Sequence, residues 1–580
     1  MTKDKAIANG QMAKTLGRYL SGCFSVIWGV RQSSGLVLWQ VWRIAIALML
    51  CAIPLPVRAD TITVTNTNDR GLSTLRPRPT PQPRPSPRPG PPQTITVTNT
   101  DDSGPGSLCQ ALADANDGDT IDATTISGII TLTSSELLVD KSLAIWGSGA
   151  DNLAVDGDLN SRVFHVGVGR TVSISGLTIR RGLANSGGGI YNDHAALTVS
   201  NCDFGANHAL TSGAGIYNDG EQDGSATLQI SNCTFGGNFS QGFGGGISND
   251  GSLGGSATLE IYASGFGTNL ASSGGGAIAN VGDSGTATLE IRMSTIGGNN
   301  FAPDGAAAYN RDATLNINTC TIINNQATGR GAGIYTKGDG NGSTILTISN
   351  STLMGNFANK QSGGGIYNEA SSLGNANLQI TNSTLTFNSA IESGGAIYNK
   401  GQSDGAAAVQ IHNSTFSENS AGLNGAGIYN LAANGGDATI NLASTILKAS
   451  GPTGNIINES GTVSSVGYNL SNDDAGGFLT GPGDQINIDP LLGPLQDNGG
   501  PTLTHELLNG SPAIDAGDPS FTPPPFYDQR GPDLYRVRNG RIDIGSFEVQ
   551  TGSTPTPTPT PRPIPTPRTH PTPRPRPTPP

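Results

Sequence analysis

Aromatic and charged residues are scarce in this sequence: 5% of the 580 residues are Phe, Trp or Tyr, and 13% are Asp, Glu, Lys or Arg. An ordinary compact domain with an aromatic core is therefore not the expected architecture. Lys and Arg number 32 against 44 Asp and Glu, and the formal charge of −12 argues against nucleic acid as a partner. Glycine, in contrast, is abundant with 82 residues, which favours a repetitive fold.

Cysteine is equally sparse. The six cysteines are Cys23, Cys51, Cys109, Cys202, Cys233 and Cys320. They form no CxxC pair and no Cys/His cluster, so neither a zinc site nor a disulfide framework is predicted. Cys202 and Cys233 lie 31 residues apart at equivalent points of adjacent repeats, where a small inward side chain is expected and a disulfide would also be permitted.

Long apolar runs are missing too, since none reaches the ~20 apolar residues of a membrane span. Residues 44–53 form a shorter run that follows Arg43 and precedes the small residues Val57 and Ala59, a pattern typical of an export signal. We predict a secreted or cell-surface protein that is cleaved after Ala59. If the segment is retained, it is the part of the chain that would contact a membrane.

A hexapeptide of the form GGGIYN recurs nine times. Its copies close at Asn192, Asn218, Asn249, Asn280, Asn310, Thr336, Asn368, Asn399 and Asn430, so one repeat measures 26 to 32 residues. Each repeat also carries a phrase such as LQISNCTFGGN at residues 228–238, in which Leu228 and Ile230 alternate with polar residues. This alternation indicates strands with one buried face, and the period indicates a solenoid.

Three short strands per repeat, separated by three turns, are most simply stacked as an all-β, right-handed parallel β-helix solenoid with coils of about 31 residues. Asn tolerates left-handed backbone angles, so the recurring Asn between two strands predicts a bend. The predicted bend residues are Asn232, Asn350, Asn382 and Asn413. The predicted inward residues include Ile190, Ile366, Phe235 and Phe416.

A short helix is predicted at residues 107–116, where Ser107 and Gln110 form a capping-box pattern. Two Pro-rich tracts favour extended polyproline II and serve as spacers. The predicted organisation is a signal peptide or membrane segment (1–59), a partial copy of the first strand (60–75), a Pro/Arg-rich linker (76–93), an N-terminal cap with the first coils (94–165), the repeat β-helix (166–460), C-terminal coils with a distinct module (461–549), and a Pro/Thr/Arg-rich tail (550–580).

Nearly all variation in repeat length falls in the loop that follows the hexapeptide. Asp219 and Asp250 open this loop in adjacent repeats, and Arg311 and Lys337 hold the equivalent position later. Carboxylates near a cation are what a polysaccharide lyase or glycosidase could use, which makes these four the candidate catalytic residues. Asp219, Asp250 and Asp283 are likewise candidate Ca²⁺ ligands, and no other cofactor is predicted. The competing interpretation is turn chemistry in a solvated loop.

Several phrases resemble known families. The tetrapeptides GGxI and FxxN, as at Gly364-Gly365-Ile366 and in FGGN at 235–238, resemble the repeats of chlamydial polymorphic outer membrane proteins, and the chain as a whole is similar to secreted bacterial proteins with a pectate-lyase-like β-helix. Residues 94–108 resemble the N-terminal region of proteins named for a CSLREA motif. The phrases DQRG at 528–531 and DIGSFE at 543–548 resemble the C-terminal module of choice-of-anchor Q proteins. These resemblances imply a surface or secreted β-helix, usually without an assigned activity.

Three functions are compatible with these patterns. The first is a monomeric, non-catalytic, adhesin-like scaffold whose stacked loops contact an extracellular polysaccharide or a cell-surface partner. The second is an extracellular polysaccharide lyase or glycoside hydrolase. The third is ice binding by an outward threonine column, although the neighbouring column with Gln229, Glu260 and Glu290 is not a second row of threonines. The outward threonine column consists of Thr234, Thr295, Thr321, Thr352, Thr384, Thr415 and Thr445.

Overall fold

A computed structural model describes residues 91–550. In this region the chain winds into the predicted right-handed parallel β-helix, with each coil stacked in register on the one before. The proposed signal segment, the strand copy at 60–75, the linker up to residue 90 and the tail from residue 551 lie outside the described residues. Between residues 91 and 550, no helix has the length and apolar character needed to cross a bilayer.

Two of the four parallel sheets contain the strands seen most clearly in the sequence. Sheet I has 12 strands and carries the hexapeptides; sheet II has 14 and carries the LxI phrase. Sheet I consists of β4 (Leu137–Val139), β7 (Phe164–Val166), β11 (Ile190–Asp193), β15 (Ile216–Asp219), β19 (Ile247–Asp250), β23 (Ile278–Val281), β27 (Ala308–Arg311), β31 (Ile334–Gly338), β35 (Ile366–Ala370), β39 (Ile397–Gln402), β43 (Ile428–Ala433) and β46 (Ile456–Glu459). Sheet II consists of β1 (Thr94–Thr96), β2 (Thr120–Ala123), β5 (Ala144–Gly147), β8 (Thr171–Ser175), β12 (Ala196–Ser200), β16 (Ser225–Ser231), β20 (Ser256–Tyr262), β24 (Thr286–Arg292), β28 (Thr314–Asn318), β32 (Ser343–Ser349), β36 (Asn375–Thr381), β40 (Ala406–His412), β44 (Asp437–Ala443) and β47 (Thr462–Gly467).

Sheets III and IV complete the coil, with 13 and 9 strands. Sheet III consists of β3 (Gly128–Thr131), β6 (Leu153–Asp156), β9 (Thr178–Arg180), β13 (Asp203–Gly205), β17 (Thr234–Gly236), β21 (Gly265–Gly267), β25 (Thr295–Gly297), β29 (Thr321–Ile323), β33 (Thr352–Met354), β37 (Thr384–Thr386), β41 (Thr415–Ser417), β45 (Ile446–Lys448) and β48 (Leu470–Ser471). Sheet IV consists of β10 (Leu183–Ser186), β14 (His208–Ser212), β18 (Phe239–Ser240), β22 (Leu270–Ala271), β26 (Phe301–Ala302), β30 (Gln326–Ala327), β34 (Phe357–Ala358), β38 (Ser389–Ala390) and β42 (Ser420–Ala421).

Sheet IV corrects the prediction of three strands per coil, because the central coils have four. Most of its strands contain only two residues, such as Phe239–Ser240, and a pair of residues is too short to show an alternating pattern in sequence. Thirteen coil steps of ~4.8 Å along the 14 strands of sheet II give a rod about 62 Å long.

The remaining elements are few. Helix α1 (Leu108–Asp114) begins after Ser107, whose hydroxyl accepts a hydrogen bond from the Gln110 amide at 3.1 Å, as the capping pattern predicts. The Gln110 side chain instead donates to Asp114 Oδ1 at 2.8 Å, so only half of the capping box forms. A 3₁₀ helix covers Ala475–Gly477, and β49 (Leu492–Gln496) and β50 (Thr504–Leu507) form an antiparallel hairpin.

The core consists of columns of identical or similar side chains. Ile190 and Ile366 are fully buried, and Phe235 stacks between Phe204 and Phe266 with ring centroids 4.5 and 4.7 Å apart. Phe416 is 1% exposed in the same inward column, which continues through Leu385 and Leu447. Because strands pair in register, each apolar residue covers its equivalent in the next coil, and the repetition fills the interior.

The turns adopt the left-handed backbone that the sequence suggests. Asn232, Asn350, Asn382 and Asn413 have φ angles of 53°, 50°, 56° and 49°. The first glycine of the hexapeptide is also left-handed, with φ 63° at Gly213, and a Cβ there would lie 2.4 Å from the Ile216 carbonyl oxygen. These positions set the corners of each coil.

Two buried asparagine ladders link successive coils. In the ladder that closes the hexapeptides, Asn218 Nδ2 donates to Asn249 Oδ1 at 2.7 Å. In the FxxN ladder, Asn238 Nδ2 donates to Asn269 Oδ1 at 2.9 Å. The bend column of Asn232 contains one similar bond, in which Asn382 Nδ2 donates to Asn350 Oδ1 at 2.7 Å. Ala263, Met293 and Thr319 occupy this column in other coils, all with positive φ, so it lacks the asparagines needed for a continuous ladder.

Residues 489–549 do not extend the rod; they fold back over the outward side of sheet III. Thr352 Oγ1 donates to the Leu503 carbonyl at 2.7 Å, Thr384 Oγ1 donates to Gln529 Oε1 at 2.6 Å, and the Ser546 amide donates to Thr415 Oγ1 at 3.0 Å. These threonines are therefore buried. The threonine column proposed for ice binding is covered over three coils.

The sequence pattern also placed Thr445 in that column, but this assignment is wrong by one residue. Thr415 pairs with Ile446, whereas Thr445 lies fully buried in the column of small inward residues that includes Ser414. Ser444, with φ 47°, takes the place of the bend asparagine. In the uncovered coils the column is interrupted by Gly265, so no continuous threonine array faces solvent there.

The fold-back module is built around a buried charge cluster. Arg530 Nε donates to Asp528 Oδ2 at 3.0 Å, the Asp543 amide donates to Glu548 Oε2 at 2.9 Å, and Arg536 is 0% exposed. Burial raises the pKa of Glu548 to about 9, against the lowering effect of Arg536. The two arginines thus lie among three carboxyl groups, and burial favours the neutral form of Glu548.

Candidate functional site

The outward side of sheet I carries two parallel columns, which we call the tyrosine face. In IYN the Ile points inward and the Asn is buried beneath the turn, so the Tyr and the residue after the Asn point outward. One column is Tyr191, Tyr217, Ser248, Ala279, Tyr309, Tyr335, Tyr367, Tyr398 and Tyr429; the other is Asp193, Asp219, Asp250, Val281, Arg311, Lys337, Glu369, Lys400, Leu431 and Glu459.

The tyrosine rings stack on one another. Centroids are 5.7 Å apart for Tyr191–Tyr217 and 4.6 Å for Tyr367–Tyr398. Where the column holds Ser248 and Ala279, Phe243 reaches across to Tyr309 at 5.1 Å. The ring faces are thus used within the protein, and Tyr217, Tyr309, Tyr335, Tyr367 and Tyr429 are at most 7% exposed.

Tyrosine hydroxyls donate to carboxylates one coil further along. Tyr191 bonds Asp219, Tyr217 bonds Asp250 at 3.3 Å and Tyr335 bonds Glu369 at 2.6 Å. Tyr429 bonds Glu459 in the same way, and burial together with that carboxylate raises the pKa of Tyr429 to about 12. These phenols are therefore protonated donors at neutral pH.

Asp219 and Asp250, the leading sequence candidates, are brought together. They are register partners at the ends of adjacent strands, and Asp219 is 6% exposed, so they do not lie in the solvated loop that the sequence suggested. Asp250 accepts the Ser252 hydroxyl at 2.6 Å, and burial raises its pKa. Burial and the two aspartates also raise the pKa of nearby Glu221.

Arg311 and Lys337 are in the same column but away from that pair. Val281 separates Asp250 from Arg311, which makes the separation two coil steps, ~10 Å. Arg311 Nε bonds Asp283 Oδ1 at 2.7 Å, and Lys337 Nζ bonds Asp339 Oδ2 at 2.7 Å. Lys337 is thus paired within its own loop, and Arg311 is paired with the loop of the preceding coil.

The proposed Ca²⁺ ligands do not converge either, because Asp283 is held by Arg311. A different trio, Asp193, His194 and Asp219, has its potential ligand atoms within 4.8 Å of one another. His194 Nδ1 lies 2.5 Å from Asp193 Oδ1, and Nε2 lies 3.0 Å from the Glu221 carbonyl oxygen. Burial lowers the pKa of His194, but the hydrogen bonds with Asp193 and Glu221 outweigh this effect, and the pKa is raised overall. A doubly donating imidazolium fits this geometry, and a metal-binding imidazole does not.

The sequence interpretation missed a recess on this face, which we call the Arg330 pocket. Arg330 bonds Asp304 Oδ2 at 2.7 Å and Glu369 Oε2 at 3.0 Å, and its guanidinium lies 4.7 Å from the centroid of the Tyr335 ring. Glu369, 2% exposed, also accepts from Gln402 at 2.7 Å. The pocket, with a volume of ≈ 600 Å³, is lined by Asp304, Arg330, Gln361, Tyr367, Glu392, Tyr398 and Lys400.

Arg330 comes from the segment before a hexapeptide, whereas the residues predicted as catalytic follow the hexapeptides. The available signal was the phrase TGR ahead of GAGIYT, the one copy of the hexapeptide preceded by arginine. The side chain crosses from that segment to the tyrosine face because its guanidinium forms ion pairs with both Asp304 and Glu369.

Comparison with known proteins matches residues 319–337 to the Chlamydia polymorphic membrane protein repeat. No curated protein matches the chain. Among solved structures, a PL6 alginate lyase in complex with a trisaccharide is 10% identical, covering 72% of this chain and 92% of that one with a TM-score of 0.33. The pectate lyase Pel9A is 14% identical, covering 79% and 96% with a TM-score of 0.32.

These matches are limited to one repeat and to distant solenoids, and at such identity they do not bear on activity. The resemblances of residues 94–108 and 528–548 to named modules stay predictions. The chain is a parallel β-helix with a repeat similar to that of the Chlamydia polymorphic membrane proteins.

Proposed function

We propose that this protein is an exported surface scaffold that binds an extracellular polysaccharide along the tyrosine face. The observation that carries the proposal is the Arg330 pocket, in which two tyrosine edges, a guanidinium, an ammonium, an amide and carboxylates converge on a recess of ≈ 600 Å³. Such a mixture suits a ligand rich in hydroxyl groups. A long polymer could lie along the tyrosine face and be held at this one place on the rod.

The charges of the face support binding more than chemistry. Arg311, Lys337 and Arg330 are each held in an ion pair with an aspartate, and the tyrosine hydroxyls donate to carboxylates. Groups committed in this way stiffen a surface and are poor proton-transfer agents. The similarity of residues 319–337 to a membrane protein repeat is in keeping with exposure at a cell surface.

Replacing Lys400 by Met together with Gln361 by Ala should weaken glycan binding about tenfold, because both side chains line the pocket and would donate to sugar oxygens. Affinity electrophoresis and an array of neutral and uronic-acid glycans would measure this. Lys360→Ala is the matched control, since Lys360 is exposed beside Gln361 and does not line the pocket. Equal affinity in the double variant and the control would contradict the proposal.

A second candidate is polysaccharide cleavage at Asp219 and Asp250. It is favoured by their pairing in register and by the burial that raises the pKa of Asp250, since glycosidases use two carboxyl groups of which the acid has a raised pKa. The scaffold proposal expects no new unsaturated or reducing ends from the wild-type protein and unchanged glycan binding in the Asp219→Asn, Asp250→Asn variant. Product release by the wild type that falls about 100-fold in that variant would favour the enzyme instead.

A further inference from the structure

An apolar cleft lies where the fold-back module meets the corner between sheets II and III. Its volume is ≈ 650 Å³, and its lining includes Tyr262, Met293, Pro524, Phe526 and Tyr527. Tyr262, Met293 and Phe526 are 49%, 52% and 62% exposed. Large apolar side chains so exposed on both walls of one cleft are typical of a recognition surface.

The edge of this cleft is acidic. Glu260 is two residues before Tyr262 on β20 and exposed, with a 3.3 Å hydrogen bond from Gln229. Glu290 lies one coil further and is bonded to Arg292 at 2.7 Å. The basic residue of the cleft is thus already paired, and the Glu260 carboxylate is available to a cationic ligand.

The described chain ends beside this cleft. Arg538 Nε donates to Gln550 Oε1 at 2.6 Å, and Gln550 Nε2 donates to the Tyr535 carbonyl at 3.2 Å. The ring of Tyr535 is 5.2 Å from that of Tyr527, which lines the cleft. Residues 551–580 therefore continue from a residue that bonds Tyr535, the neighbour of Tyr527 in the cleft.

The sequence of residues 551–580 matches the cleft in chemistry. It contains proline at nearly every second position, four arginines and no acidic residue. A polyproline II helix has three residues per turn, so residues three apart share one edge. Along one edge the residues are Arg562, Pro565, Arg568, Pro571, Arg574 and Pro577. Aromatic grooves bind proline rings of this helix type, and a flanking carboxylate can pair with arginine.

We propose that residues 551–580 bind in this cleft, with proline rings against Tyr262 and Phe526 and an arginine paired with Glu260. The dozen residues from Gln550 to Arg562 span up to ~37 Å as polyproline II, which is long enough for the tail to extend into the cleft. The proposal is independent of glycan binding on the tyrosine face. It assigns the tail as a ligand of the rod.

Photocrosslinking of the full chain tests this. Phe526→p-benzoylphenylalanine, at a position 62% exposed, should on irradiation form an intramolecular crosslink to residues 551–580, identified by mass spectrometry. The same replacement at Leu210, exposed on another part of the rod, is the control and should not label the tail. Crosslinks to residues 76–90, to a second copy of the chain, or only within residues 91–550 would overturn the proposal.

A charge reversal provides the second measurement. Glu260→Lys should reduce the crosslink yield about threefold, and combining it with Arg562→Glu, Arg568→Glu and Arg574→Glu should restore it. Asp151→Lys, an exposed carboxylate away from the cleft, should leave the yield unchanged. A crosslink yield that is unchanged by Glu260→Lys, or that falls and is not restored by the arginine replacements, would contradict the pairing of Glu260 with an arginine of the tail.

Discussion

Replacing Asn300 by alanine is expected to lower the free energy of unfolding by about 3–5 kcal/mol, because it leaves several buried polar groups without partners. Asn300 Oδ1 accepts from the amide and the side chain of Asn269, both at 3.0 Å. Its Nδ2 donates to the Phe266 carbonyl at 3.1 Å and to Asn325 Oδ1 at 2.9 Å. Alanine fills none of these roles in a site with 0% exposure.

Urea denaturation and amide hydrogen exchange would measure the effect. In a solenoid the loss should be greatest in neighbouring coils, so the Asn269 amide should exchange faster than amides in distant coils. Asn318→Ala is the control, since Asn318 is exposed and bonds the Ser349 hydroxyl at 3.0 Å. Similar losses in both variants would contradict the importance of the buried ladder.

Glu548→Gln is expected to stabilise the protein at alkaline pH. The pKa of Glu548 is raised to about 9, so between the ordinary carboxyl pKa of 4.5 and about 9 the folded protein binds a proton that the unfolded chain has lost. Stability from this group is complete below the unfolded pKa and decreases as pH rises through the folded pKa. Glutamine remains neutral, and the variant should exceed the wild type by at least about 2 kcal/mol at pH 8.

Thermal and urea unfolding between pH 5 and pH 9 would check this difference. Glu506→Gln is the control in the same module, because Glu506 on β50 is only half-buried. The expected trend is a gap between Glu548→Gln and the wild type that widens with pH. A constant gap, or one that narrows, would show that Glu548 is ionised within the cluster.

The repeat period, the inward Ile and Phe columns and the left-handed bends could be predicted because each depends on one residue and its near neighbours. Gly213 and Asn232 need backbone angles that few residue types tolerate, and their spacing gives the coil. The four-sided coil could not be predicted, since the strands of sheet IV contain too few residues to alternate.

The site was less accessible to such reasoning because its contacts join residues far apart in sequence. Asp219 and Asp250 could be paired by counting repeats, but the Tyr191 hydroxyl that bonds Asp219 belongs to the previous coil and faces outward from a strand. Arg330 joins Asp304 to Glu369 across 26 and 39 residues. The covering of Thr352 by Leu503 depends on how a whole module folds back, which no local pattern encodes.

The ladders also constrain how such a chain can change length. Removing or inserting one complete coil keeps the columns continuous in the regular stretches, where neighbouring coils such as those of Asn368 and Asn399 present the same inward Ile, outward Tyr and two buried Asn. A shift of even one residue within a strand would misalign several columns at once. Tandem duplication of whole repeats is therefore the route by which this rod can grow in evolution, and point insertions are confined to the loop between sheets I and II.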